Sequence, residues 1–513
     1  MSIFKKLSMA LLLTMMMAAC SNMDSNLEKM IPADATGVVS MDVPQILKKA
    51  QMTDGGKIVL PQSLQQAIDE NDATPMSVLL TDLPMMGIDT DSKAYAFFTV
   101  KTFGTVLLVA LDDPDKARKT LSQRVGSDFT NVEGLECIYN RDKLYAIDGK
   151  VLLVGKVNKQ MEASRVARAA RNILSKSSTS IMDNKEIKQL LHNDDAAINM
   201  WFQLKGLKAL LNKSNVYREL SQRMPLIEIF TESDIDAVEC HVDLDDDEVE
   251  MKTNIRAAQD SEYAQLLGKT MGKPDNQVLK AIPNSMDYIV TMCVKGEQFV
   301  QLEQIKQLLG MFGKLPYIGR IDMAQILATV DGPFTVGLAR DPHLEGEWNV
   351  VLATRSSNPQ GVIQQINNFA NSMGQAPELY DGEYVYQYDN KMIRIGLNDE
   401  ILYVKMLDYE QTEGYAYEMP QAREFFEDAL LGMFAQTHNQ DNTHGYFDFA
   451  LTDFFNGEGH FTTDMPNANP TLELLRALCT FNGPKAYDNN EDSEDDEISS
   501  LMGGAIDKLQ PLN

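Results

Sequence analysis

Histidine and cysteine are scarce in this 513-residue chain, with six and five copies, and tryptophan occurs twice. So few imidazoles leave little choice for activating a nucleophile or ligating a metal. The cysteines Cys20, Cys137, Cys240, Cys293 and Cys479 form no C-x-x-C pair, which excludes a zinc knuckle and a thioredoxin-like motif. Cys137, Cys240, Cys293 and Cys479 are expected to be buried free thiols. Basic residues are outnumbered 46 to 74, for a net charge of −28. Such a field repels phosphate backbones, so no nucleic-acid partner is expected. Nor does any later apolar run reach bilayer-spanning length. A phosphate-binding G-x-x-x-x-G-K-[ST] loop, a G-x-G-x-x-G turn, H-E-x-x-H and a G-x-S-x-G elbow are all missing, so no catalytic residue, cofactor or metal ligand is assigned.

What is present begins with an address. Lys5 and Lys6 precede an unbroken run from Leu7 to Ala19, and Cys20 follows two alanines. A charged segment, a short apolar segment and small residues at a cleavage point make a secretory signal peptide over residues 1–19. The ending Met17-Ala18-Ala19-Cys20 resembles a bacterial lipobox, which implies acylation of Cys20 and attachment to the membrane through its acyl chains. With 44% hydrophobic residues the remainder can bury a sizeable core.

The chain reads as containing itself twice. KMIPADATGVVSMDV from Lys29 and KAIPNSMDYIVTMCV from Lys280 share Lys, Ile, Pro, Val, Met and Val at an offset of 251. Asp113-Pro114 and Asn358-Pro359 each follow an apolar run and open an amphipathic stretch, with the acid or amide as N-cap and proline in the first turn. Gly134–Val154 and Gly382–Val404 each carry two polar turns between short alternating runs, which predicts an antiparallel meander. A fourth match pairs residues 196–211 with Gly445–Phe455. The expected fold is α+β: two tandem duplicated repeats, each of antiparallel β-meanders with interspersed helices. Repeat 1 spans 20–272 and repeat 2 spans 273–487, leaving 488–513 as an acidic disordered linker and tail. Ile235–Asp243 and Val249–Ala257 read as a long hairpin in repeat 1 that repeat 2 lacks, retaining only Gly459–Leu475.

Four polar features stand out. His438-x-x-Asp441-x-x-His444, with Asp448 and His460 nearby, is the best metal candidate, but its Asn, Gln and Thr content suits a plain polar turn. Asp243–Glu250 clusters acids without the spacing of a calcium loop, so it reads as a solvated hairpin tip. Tyr384, Tyr386 and Tyr388 share one strand face, expected to be the core side rather than a sugar platform. Lys156, Lys159, Arg165, Arg168, Arg171 and Lys176 decorate a helix over residues 158–176, read as an ordinary exposed face rather than a dock for an acidic partner, an anionic glycan or the acidic tail of this chain.

With the lipobox, Ile31-Pro32-x-Asp34-Ala35 before Val38-Val39-Ser40-Met41-Asp42, and the duplicated halves, the chain resembles a family of Bacteroidetes lipoproteins known only as a domain of unknown function. The resemblance implies an envelope lipoprotein and offers no catalytic residues. Ser21–Asn26 holds one acid, Asp24, so no surface-export signal is evident and outer-membrane anchoring facing the periplasm is favoured. The expected function is a non-enzymatic binding or scaffolding module with an unknown protein or glycan partner. The alternatives are an envelope hydrolase with a convergent carboxylate site, or an inert surface antigen.

Overall fold

The computed structural model describes residues 27–480 except 56, 71–80, 100–101, 141, 158–160, 176–178, 205–233, 284–285, 313–321, 341–347, 373, 389–390, 399, 409–425, 427, 439–443 and 464–467. Among the described residues, twenty strands make one antiparallel sheet. The first ten are β1 (Gly37–Asp42), β2 (Lys93–Phe98), β3 (Phe103–Ala110), β4 (Thr130–Val132), β5 (Leu135–Asn140), β6 (Lys143–Asp148), β7 (Val151–Val157), β8 (Ile198–Phe202), β9 (Ala237–Leu244) and β10 (Val249–Arg256). The second ten are β11 (Tyr288–Lys295), β12 (Val330–Arg340), β13 (Trp348–Ser356), β14 (Glu378–Tyr380), β15 (Glu383–Tyr388), β16 (Lys391–Asn398), β17 (Ile401–Asp408), β18 (Leu431–His438), β19 (His444–Leu451) and β20 (Asn456–Thr463).

Pairing runs β4-β5-β6-β7-β3-β2-β1-β8-β9-β10 across the first half. It runs β14-β15-β16-β17-β13-β12-β11-β18-β19-β20 across the second. Every pairing in one half has its counterpart ten strands on. Single hydrogen bonds recur as well. Gln203 N donates to Thr36 O and Gln436 N to Asp287 O, each at 2.8 Å. Asp42 N donates to Ala197 O at 2.7 Å, and Cys293 N to Leu430 O at 2.8 Å. The halves meet edge to edge where β10 pairs with β20, which removes two exposed sheet edges at once.

This topology corrects two sequence expectations. The second half does carry the long hairpin, as β19–β20. The segment matching residues 196–211 is β18 rather than Gly445–Phe455, because β8 and β18 hold the same place beside β1 and β11.

Local chemistry explains the helices that pack on the sheet. Asp113 Oδ1 accepts from Lys116 N at 3.0 Å and Pro114 opens α3 (Pro114–Val125), which Gly126 ends at φ 69°, a left-handed value glycine tolerates. Asn358 Oδ1 accepts from Gly361 N at 3.1 Å, opening α10 (Pro359–Ser372) at the equivalent place. Strand alternation then sorts the core into layers. In β1 to β3, Val39, Met41, Ala94, Ala96, Leu107 and Val109 join one cluster with α1 (Val43–Lys49), α2 (Gln62–Glu70) and α3. The alternate residues Val38, Tyr95, Phe97, Val106 and Leu108 pack with α4 (Ala163–Leu174) and α5 (Lys185–Leu191) on the other face.

Two helices tie the halves together. α6 (Glu262–Thr270) follows β10 and approaches the second half, where Lys295 Nζ donates to Gly268 O at 2.9 Å. α11 (Pro470–Thr480) follows β20 and returns to the first half. Its Leu472 and Leu475 join the cluster of Leu64, Ala67 and Ile68 of α2, and Asn469 Nδ2 donates to Lys49 O at 2.5 Å.

Candidate functional site

The polar residues of greatest interest gather on the seam. β10 and β20 register Glu250 against His460 and Lys252 against Glu458, and β19 registers Asp448 against His460 on the other side. Cross-strand partners share a face, so Asp243, Glu250, Lys252, Glu458, His460 and Asp448 lie together. The opposite face carries Val249, Met251, Phe461 and Phe447, which pack into the first-half core.

The geometry within this group is tight. Lys252 Nζ donates to Glu250 Oε2 at 2.6 Å. His460 Nδ1 lies 3.1 Å from Asp448 Oδ1, the same oxygen accepts from the His460 backbone N at 3.0 Å, and His460 Nε2 stands 3.9 Å from Glu458 Oε1. Glu250, Glu458 and His460 are each half-buried and offer ligand atoms within 4.8 Å of one another. The Lys252 ammonium holds the Glu250 carboxyl below its usual range. Burial, reinforced by the hydrogen bond with Glu250, raises Glu458. Burial also raises Asp448, against the pull of His460. Two neighbouring carboxyls are thus pushed apart in acidity beside an imidazole, a combination found in sites that bind cations or move protons.

Next to the seam, an open cleft of about 460 Å³ is lined by Asp236, Asn254, Arg256, Gln259 and Phe455 among others. Arg256 is engaged there: it pairs with the buried Glu239 and, through Nη1, with Glu186 at 3.0 Å.

The other sequence candidates divide. Cys20, on which lipid attachment rests, lies outside the described residues, as do Asp441 and the whole of 488–513. His438 and His444 are register partners at the end of the β18–β19 hairpin, while Asp448 and His460 are drawn to the seam. At the β9–β10 tip, exposed Asp246 pairs with Lys49 at 2.9 Å. Tyr386 is buried with Tyr384 packed beside it, against Val362 and Ile363 of α10, and its hydroxyl donates to Asn367, so these two tyrosines are core, while the side chain of Tyr388 lies outside the described residues. Burial raises the Tyr386 phenol accordingly. On α4, Arg168 pairs with Glu133 at 3.1 Å and Arg171 Nη1 donates to Glu133 O at 2.9 Å, which pins the helix to the β4–β5 turn. Lys159 and Lys176 lie outside the described residues. Cys137, Cys240 and Cys293 are free and buried.

Sequence reading placed Asp448 and His460 near a polar turn and Glu250 at a separate hairpin tip, and singled out neither Glu458 nor Lys252. In the sequence Glu250 is one more acid beside a hairpin tip, and only the β10–β20 register brings it to His460. The signal that could have found it is the hairpin equivalence. Residues 199–203 (NMWFQ) and 432–436 (GMFAQ) share Met and Gln in register, which would have placed β18 and hence β20.

No family model matches the chain, and no curated protein matches it. Among solved structures it is similar to TP0453. Crystal form I gives a TM-score of 0.29 at 10% identity over 47% of this chain and 83% of that one. Crystal form III gives 0.28 at 12% over 47% and 84%. The beta subunit of DNA polymerase III from Pseudomonas aeruginosa gives 0.11 at 12% over 79% and 97%. Likenesses this slight carry no argument about function.

Proposed function

We propose that this chain is a lipid-anchored protein of the bacterial cell envelope that works as a binding or scaffolding module, attached to the membrane through acylated Cys20. Support for the anchor comes from the Lys5–Cys20 segment, and support for outer-membrane attachment facing the periplasm from the lack of an acidic run after Cys20. The observation that carries the module reading is the joined sheet: two sets of nine matching pairings meet through β10–β20 and are crossed by α6 and α11. Charged groups are spent on holding this frame together, as in Arg256 with Glu239 and Glu186, or Arg355 with Asp275 and Glu400. The matching pairings, helix caps and backbone hydrogen bonds also favour descent of the two halves from one duplicated unit.

Replacing Cys20 with serine should abolish labelling by radioactive palmitate and move the protein to the soluble fraction. Retention on the membrane would sink the anchor reading. In-cell cross-linking should give a discrete adduct with an envelope protein or glycan, and repeated failure to find one argues against the module reading.

One observation favours a second reading. The opposed acidities of Glu250 and Glu458 suit a general acid–base pair, the core of a carboxylate hydrolase. Broad hydrolase profiling decides: an activity that disappears in Glu250→Gln or Glu458→Gln replaces the module reading.

A further inference from the structure

We propose that Glu250, Glu458 and His460 bind a divalent transition-metal cation of the zinc class, on the seam that joins the two halves of the sheet. The donor set is one imidazole nitrogen and two carboxylate oxygens, a set zinc accepts in open sites where solvent completes the coordination. The three ligand atoms lie within 4.8 Å of one another. Ligands about 2.1 Å from a tetrahedral ion stand about 3.4 Å apart, so closure needs side-chain turns on the ångström scale. The strands themselves need not move, because the β10–β20 register already sets Glu250 directly opposite His460.

A second feature separates this group from a bare cluster of acids. Asp448 accepts from both the backbone N and the ring of His460, at 3.0 and 3.1 Å. Holding Nδ1 in this way turns Nε2 toward Glu458 Oε1, 3.9 Å away. A carboxylate on the far nitrogen of a ligating imidazole fixes the tautomer and ring orientation and raises the basicity of the ligand. Asp448 is well placed for that role, with its side chain 14% exposed. At the β9–β10 tip, by contrast, Asp246 is 96% exposed and pairs with Lys49.

Lys252 sets the affinity. Its ammonium sits 2.6 Å from Glu250 Oε2, so a cation and Lys252 compete for one carboxylate. The Lys252 side chain is already 60% exposed, and turning it to solvent leaves both Glu250 oxygens to the metal. One ligand comes from the first half and two from the second. The ion therefore staples β10 to β20, and its binding energy adds to the stability of the joined sheet.

The test uses the full mature chain carrying Cys20→Ser, stripped with EDTA and titrated with zinc by calorimetry. Cobalt(II) gives a visible absorption readout of the same site. The expected result is one zinc per chain and a melting temperature that rises with zinc. Glu250→Gln, Glu458→Gln and His460→Gln should each remove this binding while circular dichroism stays unchanged. Asp448→Asn, which touches no metal, should weaken binding about 10- to 100-fold, and Lys252→Gln should tighten it. Binding that survives Glu250→Gln and His460→Gln belongs elsewhere, for example at His438 and His444, and overturns the proposal. So does the absence of saturable binding below millimolar zinc.

Discussion

Glu250 and His460 stand directly across from each other on β10 and β20, although 210 positions separate them in the chain. That one register joins two ten-strand halves into a single sheet, so whatever disturbs the seam disturbs both.

Gly459 is a point where the seam has little room to yield. A Cβ there would lie 2.8 Å from the Asp448 carbonyl oxygen and 3.2 Å from the Met251 Cε. The methionine tip can swing away, but the backbone oxygen cannot. Gly459→Val should therefore cost about 1–3 kcal/mol through overpacking, read as a lower midpoint in urea. An unchanged midpoint would show that β20 is free to shift.

The joined architecture also predicts where the first half is vulnerable. Leu475 belongs to α11, at the far end of the second half, yet it is buried in the cluster that contains Leu64 and Ile68. Truncating it should open a cavity in the first-half core. Leu475→Ala is expected to cost about 2–5 kcal/mol and to loosen α2, visible as faster amide exchange over Gln62–Glu70. A loss confined to residues after 456 would mean the halves are energetically separate.

Much of each half was legible because its signals are local. Asp113-Pro114 and Asn358-Pro359 set helix starts through a cap oxygen and a fixed φ, both properties of adjacent residues. The β5–β6–β7 meander followed from the turns near Asp142 and Gly149, the latter with φ 58°. The seam was not legible, since nothing within β10 or β20 records which edge each will meet. Its acids therefore read as solvated surface. The same limit explains the misplaced fourth match: β18 is fixed by its place beside β11, and its strand pattern resembles that of β19.

The buried thiols give a chemical prediction. Burial pushes Cys240 up to about 11 and Cys293 to about 12, and raises Cys137 as well. The thiolate is the reactive form, so at pH 8 these three should resist Ellman's reagent in the folded protein and react fully in guanidinium. Mass mapping of the adducts assigns them, and rapid native labelling of Cys293 would contradict its placement beneath Ala429, whose carbonyl accepts from its Sγ at 3.3 Å.

Glu239 ties stability to pH. Its carboxyl is buried on β9, and desolvation raises it despite the attraction of Arg256. A carboxyl whose folded pKa exceeds its unfolded value makes the folded state hold more protons between the two. The folded form is then favoured below the ordinary carboxylate range, and this contribution is lost as pH rises through the raised value. Stability attributable to Glu239 should thus fall on going from acid toward neutral pH, opposite in sign to the contribution of Asp194, which Lys93 holds below its usual range. Glu239→Gln keeps the shape and removes the titration. Urea midpoints measured from pH 4 to pH 7 for the two proteins should diverge as pH rises, with the glutamine variant losing less. Parallel curves would show that Arg256 compensates the charge completely.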